Sequence, residues 1–144
     1  MIFMYKRHKR ILFGLFVAVF FSTLFFNLDF SPVAEAAITV ASIAMGVYIA
    51  AVSAMLGSDY AKSLKATPDK EHPTKTLLGV LADYFRIGGF LCVALILTGC
   101  LYLIPTAWNI SGRFAAKLIR CGSALAYALF SINILFLWLI LVFL

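Results

Sequence analysis

The chain has 144 residues and a net charge of +6, with 64% hydrophobic and only 12% charged residues. Soluble domains carry about 25% charged residues, so this composition excludes a water-soluble globular protein and predicts an integral membrane protein. Eight of the twelve lysines and arginines lie in two blocks, at 6–10 and 62–75, each beside an apolar run. This is the positive-inside pattern of a membrane protein rather than a nucleic-acid-binding face, and it places both blocks in the cytoplasm.

The first apolar segment, at about 11–28, follows the basic block at 6–10 and resembles a signal peptide. Its apolar run is too long for a signal-peptide core and ends too far before the cleavage signature at 34–36. We therefore predict an uncleaved first membrane helix with its amino terminus in the cytoplasm. The high phenylalanine content of this helix favours a surface that faces lipid.

The second predicted span, at 33–56, carries small residues every four positions. A four-residue repeat places its members on one helical face, and small side chains let helix backbones approach closely in lipid. We predict a helix-packing face that also joins copies of the chain into a homo-oligomer. Its members are Ser42, Gly46, Ala50 and Ala54.

The segment 57–75 is the only long polar stretch, and we predict a cytoplasmic loop there. Its first part, as far as Lys65, is predicted to continue the second helix, and a turn follows at 67–69. Two interpretations remain open: a topology-setting loop that touches anionic headgroups, or a docking surface for a soluble cytosolic protein. The candidate partner-binding residues are Lys62, Lys65, Lys70 and Lys75.

The third span is predicted at 87–104, after a helical lead-in at the cytoplasmic interface. Asp83 and Arg86 lie three residues apart in that lead-in, so they share a helical face and are predicted to form an ion pair. The glycine pair at 88–89 indicates either flexibility or close contact with another helix.

The fourth span is predicted at 121–144, after a basic helix start at 111–120 on the outer side. Arg113, Lys117 and Arg120 are expected to reach the outer lipid headgroups. Four crossings place both termini in the cytoplasm. The predicted fold class is therefore an all-α, integral membrane bundle of four transmembrane helices in a single domain.

Polar residues within the fourth span have two possible roles. They form hydrogen bonds to neighbouring helices, or they line a pore built by an oligomer. The residues concerned are Ser123, Tyr127, Ser131 and Asn133.

No catalytic motif is present, and neither His8 nor His72 has an evident partner, so we predict no enzyme, no metal site and no cofactor. The three cysteines are interpreted as apolar packing residues. A small multidrug transporter would need an ionisable group inside the membrane, and the first span has none.

The layout of the chain resembles small four-pass membrane proteins of bacterial anti-phage systems. The segment Ile49 to Lys65, where a small-residue helix runs into a basic juxtamembrane stretch, is the nearest local likeness. Resemblance to the Kiwa membrane subunits (KwaA) implies an inner-membrane homo-oligomer that senses phage attack and holds a soluble cytosolic effector. Resemblance to the lambda exclusion proteins (RexB) implies instead an ion-conducting, depolarising effector, and colicin immunity proteins are similar in outline.

Overall fold

The computed structural model describes residues 5–56, 58–69, 76–104 and 113–143. The described residues form five α-helices and one isolated antiparallel bridge between Pro68 and Thr76. The helices are α1 (Lys6–Phe26), α2 (Ser31–Leu56), α3 (Asp59–Ala66), α4 (Leu77–Leu103) and α5 (Arg113–Phe143).

Four of these helices, α1, α2, α4 and α5, are long and apolar enough to cross a membrane. The predicted number of such helices is therefore confirmed. Two of them begin earlier than the predicted spans, because α4 includes the whole lead-in from Leu77 and α5 includes the basic start from Arg113. The lead-in and the third span are thus one continuous helix of 27 residues.

Helices α2, α4 and α5 contact one another and form a three-helix core, whereas α1 packs along α5 and meets α4 through His8 and Tyr84. Much of α1 therefore faces outward, as the phenylalanine-rich sequence predicts. Its exposed aromatic side chains are Phe13, Phe21, Phe25 and Phe26.

Helices α2 and α4 pack closely where they cross. A Cβ atom added to Gly99 would lie 2.6 Å from Cγ1 of Ile38 and 3.4 Å from the carbonyl oxygen of Ala34. Such an approach requires small residues on both helices, and α2 meets the requirement with an alanine face. The fully buried members of this face are Ala34, Ala37, Ala41 and Ala44.

The short helix α3 is separate from α2, so the predicted continuation of α2 to Lys65 is wrong. Ser58 has an extended backbone (φ −98°, ψ 150°) and its hydroxyl accepts a hydrogen bond of 3.2 Å from the Ala61 N–H. This N-cap interrupts the helical path and starts a new helix at Asp59. Ala61 is buried and Leu64 is half-buried against the core, so α3 packs with its apolar side.

Candidate functional site

A cluster of polar side chains lies at the end of the molecule where α1 and α4 begin and α2 ends. We call it the polar clasp and define it as Tyr5, His8, Asp69 and Tyr84. These residues come from three distant parts of the sequence. They connect the amino terminus, the segment after α3 and the start of α4.

Tyr84 is the centre of the polar clasp and is only 1% exposed. Its hydroxyl accepts a hydrogen bond of 3.1 Å from the Tyr5 N–H and forms another, of 2.8 Å, with Nδ1 of His8. Its ring stacks on Phe136 of α5, with the ring centroids 5.8 Å apart. Since a buried tyrosine needs a partner for its hydroxyl, α4 holds the amino terminus through this one side chain.

Asp69 links the polar clasp to the polar segment. It is 3% exposed, and its Oδ1 accepts a hydrogen bond from the Tyr5 hydroxyl. The preceding residues are held as well, because the Leu77 N–H donates to the Thr67 carbonyl at 3.1 Å. A buried carboxylate in a hydrogen bond is costly to displace. The segment therefore returns to a defined position on the core after α3.

The described lysines of the polar segment point away from the core. Lys62 and Lys65 are both exposed, and Nζ of Lys62 lies 2.7 Å from Oδ1 of Asp59. An exposed ion pair of this kind contributes little to stability, so the two lysines are available to a partner. Lys70 and Lys75 lie outside the described residues.

The predicted ion pair between Asp83 and Arg86 is wrong. Asp83 is buried at 7% exposure, Arg86 is exposed, and the salt bridge found within the described ranges is the Lys62–Asp59 pair. Asp83 belongs to the buried run 83–85 that faces the core, and this rotation of α4 turns Arg86 outward. A three-residue spacing allows a pair but does not require one.

The four-residue stripe of α2 is not packed against any described part of the chain, because α2 packs through its alanine face instead. A Cβ atom added to Gly46 would meet nothing within 4 Å. The role of the stripe in joining copies of the chain stays a prediction. Its exposed members are Ser42, Gly46, Ala50 and Ala54.

The polar residues near the start of α5 hold the other end of the molecule. Ser123 accepts a hydrogen bond of 3.3 Å from the Phe30 N–H and donates one of 3.2 Å to the Tyr102 hydroxyl. The Tyr127 hydroxyl donates to the carbonyl of Asp29 at 3.0 Å. The fully buried ring of Phe30 packs edge-on against both tyrosines. The connection between α1 and α2 is thereby anchored on α4 and α5.

Asn133 lies deeper in the core and is 1% exposed. Its Oδ1 accepts a hydrogen bond of 3.3 Å from the Cys92 thiol, whereas its Nδ2 and the Tyr48 hydroxyl are buried without a partner among the described residues. Ser131 is half-buried. Ser123, Tyr127 and Asn133 thus form hydrogen bonds within the chain, which is the first of their two predicted roles.

The basic start of α5 lies at the end of the molecule opposite the polar clasp, since the Tyr102 hydroxyl donates to the Ile119 carbonyl there. Lys117 and Arg120 are exposed, and the side chain of Arg113 falls outside the described part. Within the described ranges, no group of three histidine, cysteine or acidic side chains is placed to hold a metal ion.

Comparison with known proteins gives no family for this chain. No family model matches it, no curated protein matches it, and no solved structure matches it. The resemblance to anti-phage membrane proteins therefore stays a prediction. The function proposed below rests on the geometry of the chain itself.

The polar clasp is absent from the sequence-based predictions. In the sequence His8 has no evident partner, and the residue at 69 is predicted to be part of a local turn. One signal was available, because a tyrosine hydroxyl beside a long apolar run must find a partner. The partner could not be named, since it lies 76 to 79 residues away in the chain.

Proposed function

We propose that this protein is a non-enzymatic, multi-pass scaffold or sensor of a bacterial inner membrane, serving anti-phage defence by recruiting a soluble cytosolic effector. The observation that supports it most directly is the construction of the segment at 58–69. This segment has a capped helix, a buried apolar side and a buried carboxylate, so it presents a defined surface. A surface with a defined conformation loses less conformational entropy on binding a partner than a flexible loop does.

Charge supports the cytoplasmic placement of this surface. The exposed basic residues at the polar-clasp end include those at 6–10 and 62–65, whereas Lys117 and Arg120 are the ones described at the opposite end. The positive-inside rule then assigns the polar-clasp end, with both termini, to the cytoplasm. An exposed basic surface at this end favours an effector with a complementary acidic patch.

Charge reversal in the polar segment tests the docking surface. We expect the triple variant Lys62→Glu, Lys65→Glu, Lys70→Glu to recover its effector from membranes at least about tenfold less well, because like charges oppose docking. Recovery is measured by affinity pull-down with quantitative mass spectrometry. Lys117→Glu, at the opposite end, is the matched control and should recover the effector normally. Equal recovery of every soluble protein by the triple variant contradicts the docking surface.

The outward stripe of α2 supports a homo-oligomer, since small residues that no described residue covers suit close packing between copies. We expect Gly46→Leu to shift the extracted protein towards monomer, measured by size-exclusion chromatography with light scattering. Gly14→Leu is the control, because Gly14 is equally open and lies on α1. An unchanged oligomer in Gly46→Leu contradicts the role of the stripe.

An ion-conducting effector is the alternative function, and the structure offers it less support. A pore needs polar side chains that turn towards a channel. Ser123 and Asn133 are each 1% exposed and are engaged with Tyr102 and Cys92. Interhelical hydrogen bonding accounts for these two residues without a pore.

A further inference from the structure

An apolar groove follows the line where α2 and α4 meet, beside α3. The part at the start of α4, which we call the upper part, has a volume of about 360 Å³. The part further along α4, which we call the lower part, has a volume of about 230 Å³. Val52 of α2 and Phe85 of α4 line both parts, so the two are continuous. The upper part also reaches Lys65, and the lower part reaches Gly89.

Small residues of α4 open this groove. Gly79 and Ala82 line its upper part and Gly89 its lower part. A Cβ atom added to Gly89 would meet nothing within 4 Å. Apolar side chains that line an empty groove lack dispersion contacts on that side. They gain these contacts when a hydrocarbon chain fills the groove.

The groove has the length of one lipid leaflet. It extends along α4 from Thr76 to Gly89, which is about 20 Å at 1.5 Å per residue. Half of a bilayer, headgroups included, is also about 20 Å thick. The groove begins where α2 ends and α4 starts, so its upper end lies at the boundary of the apolar helices. An extended phospholipid matches this shape.

Charge at the upper end selects the headgroup. Lys65 is the one charged side chain among the described residues that line the groove, and it is exposed at the mouth. Thr76 lies at the same end. A lysine ammonium above an apolar slot complements a lipid phosphate whose acyl chain enters the slot.

We propose that the groove between α2 and α4 binds one anionic phospholipid, with its acyl chain between Val52 and Phe85 and its headgroup at Lys65. The inference rests on the membrane placement proposed above. It adds a specific lipid site to the surface assigned to the effector. Lys65 belongs to both the lipid site and the docking surface, so the headgroup bound at Lys65 directly changes the charge that the docking surface presents.

The test uses the full chain, extracted from membranes and reconstituted into nanodiscs that contain equal amounts of phosphatidylglycerol and phosphatidylethanolamine. Lipids that stay bound after release into the gas phase are counted by native mass spectrometry. We expect the wild type to retain phosphatidylglycerol preferentially. Gly89→Leu should retain at least about fivefold less of either lipid, because leucine occupies the acyl slot. Lys65→Gln should lower the preference for phosphatidylglycerol over phosphatidylethanolamine by about fivefold.

Two matched controls isolate the site. Gly14→Leu adds the same side chain at an open glycine of α1, and Lys62→Gln removes a lysine of α3 that does not line the groove. Both should retain lipid as the wild type does. Wild-type retention by Gly89→Leu, or equal retention of the two lipids by the wild type, overturns the site. Recovery of the protein in the soluble fraction instead overturns the membrane placement on which the site depends.

Discussion

Replacing Gly88 with leucine is expected to destabilise the three-helix core by at least about 3 kcal/mol, or to prevent folding. A Cβ atom at this position would lie 2.7 Å from Cε2 of Tyr48 and 3.3 Å from Cδ1 of Phe136. Both rings are buried, and Phe136 also stacks on Tyr84. The ring of Phe136 is held by this stack and that of Tyr48 borders the groove. The added side chain must therefore displace the Tyr48 ring or separate α4 from α2 or from α5.

Graded substitutions keep this prediction measurable if the leucine variant does not fold. Gly88→Ala should lose about 1–3 kcal/mol through overpacking by a single methyl group. Gly89→Ala, one residue further, meets open space and should lose nothing, because alanine favours the helix more than glycine does. The free energy of unfolding is measured in mixed micelles titrated with a denaturing detergent and followed by circular dichroism. Equal stabilities of the two alanine variants would contradict close packing at Gly88.

The number of long apolar helices was predictable from the sequence, whereas the buried face of α2 was not. In a membrane helix nearly every side is apolar. The alternation of apolar and polar residues that marks the buried face of a helix in a soluble protein is therefore missing. The sequence of α2 contains two small-residue faces. The four-residue stripe through Gly46 is the predicted packing face, but the chain buries the face through Ala41 instead.

Local spacing failed wherever a distant residue decided the outcome. Asp83 and Arg86 have the spacing of an ion pair, but the rotation that buries Tyr84 also turns Asp83 inward and Arg86 outward. The break between α2 and α3 was missed for a different reason. The predicted continuation of α2 takes no account of a cap at Ser58, although a serine at this position starts helices readily.

The glycine pair at 88–89 shows how much a local sequence pattern can predict. The sequence indicated flexibility or close contact for the pair as a whole. In the structure the two residues differ, since a Cβ atom at Gly88 would meet two aromatic rings whereas Gly89 opens onto the groove. One helical position, a rotation of about 100°, separates a packing contact from a ligand surface.

Tyr84→Phe is expected to release the amino terminus from the core. The substitution keeps the ring on Phe136 but removes the hydroxyl that holds the Tyr5 N–H and Nδ1 of His8. The loss of a hydrogen bond to a buried donor costs about 1–3 kcal/mol, and the half-buried Tyr5 N–H should lie at the lower end of that range. Because Tyr5 also donates to Asp69, the loss should extend to the polar segment after α3. Amide hydrogen exchange should therefore accelerate at residues 5–10 and at 58–69 together.

Tyr48→Phe is the control, because it makes the same chemical change with the opposite expectation. The Tyr48 hydroxyl is buried without a hydrogen-bond partner among the described residues, so its removal should be neutral or stabilising. Exchange at 5–10 and 58–69 should stay at the wild-type rate. Faster exchange confined to residues 5–10 in Tyr84→Phe would mean that the polar clasp does not couple the amino terminus to the docking surface. Joint acceleration would mean that the Tyr84 hydroxyl holds both the amino terminus and the surface proposed to bind the effector.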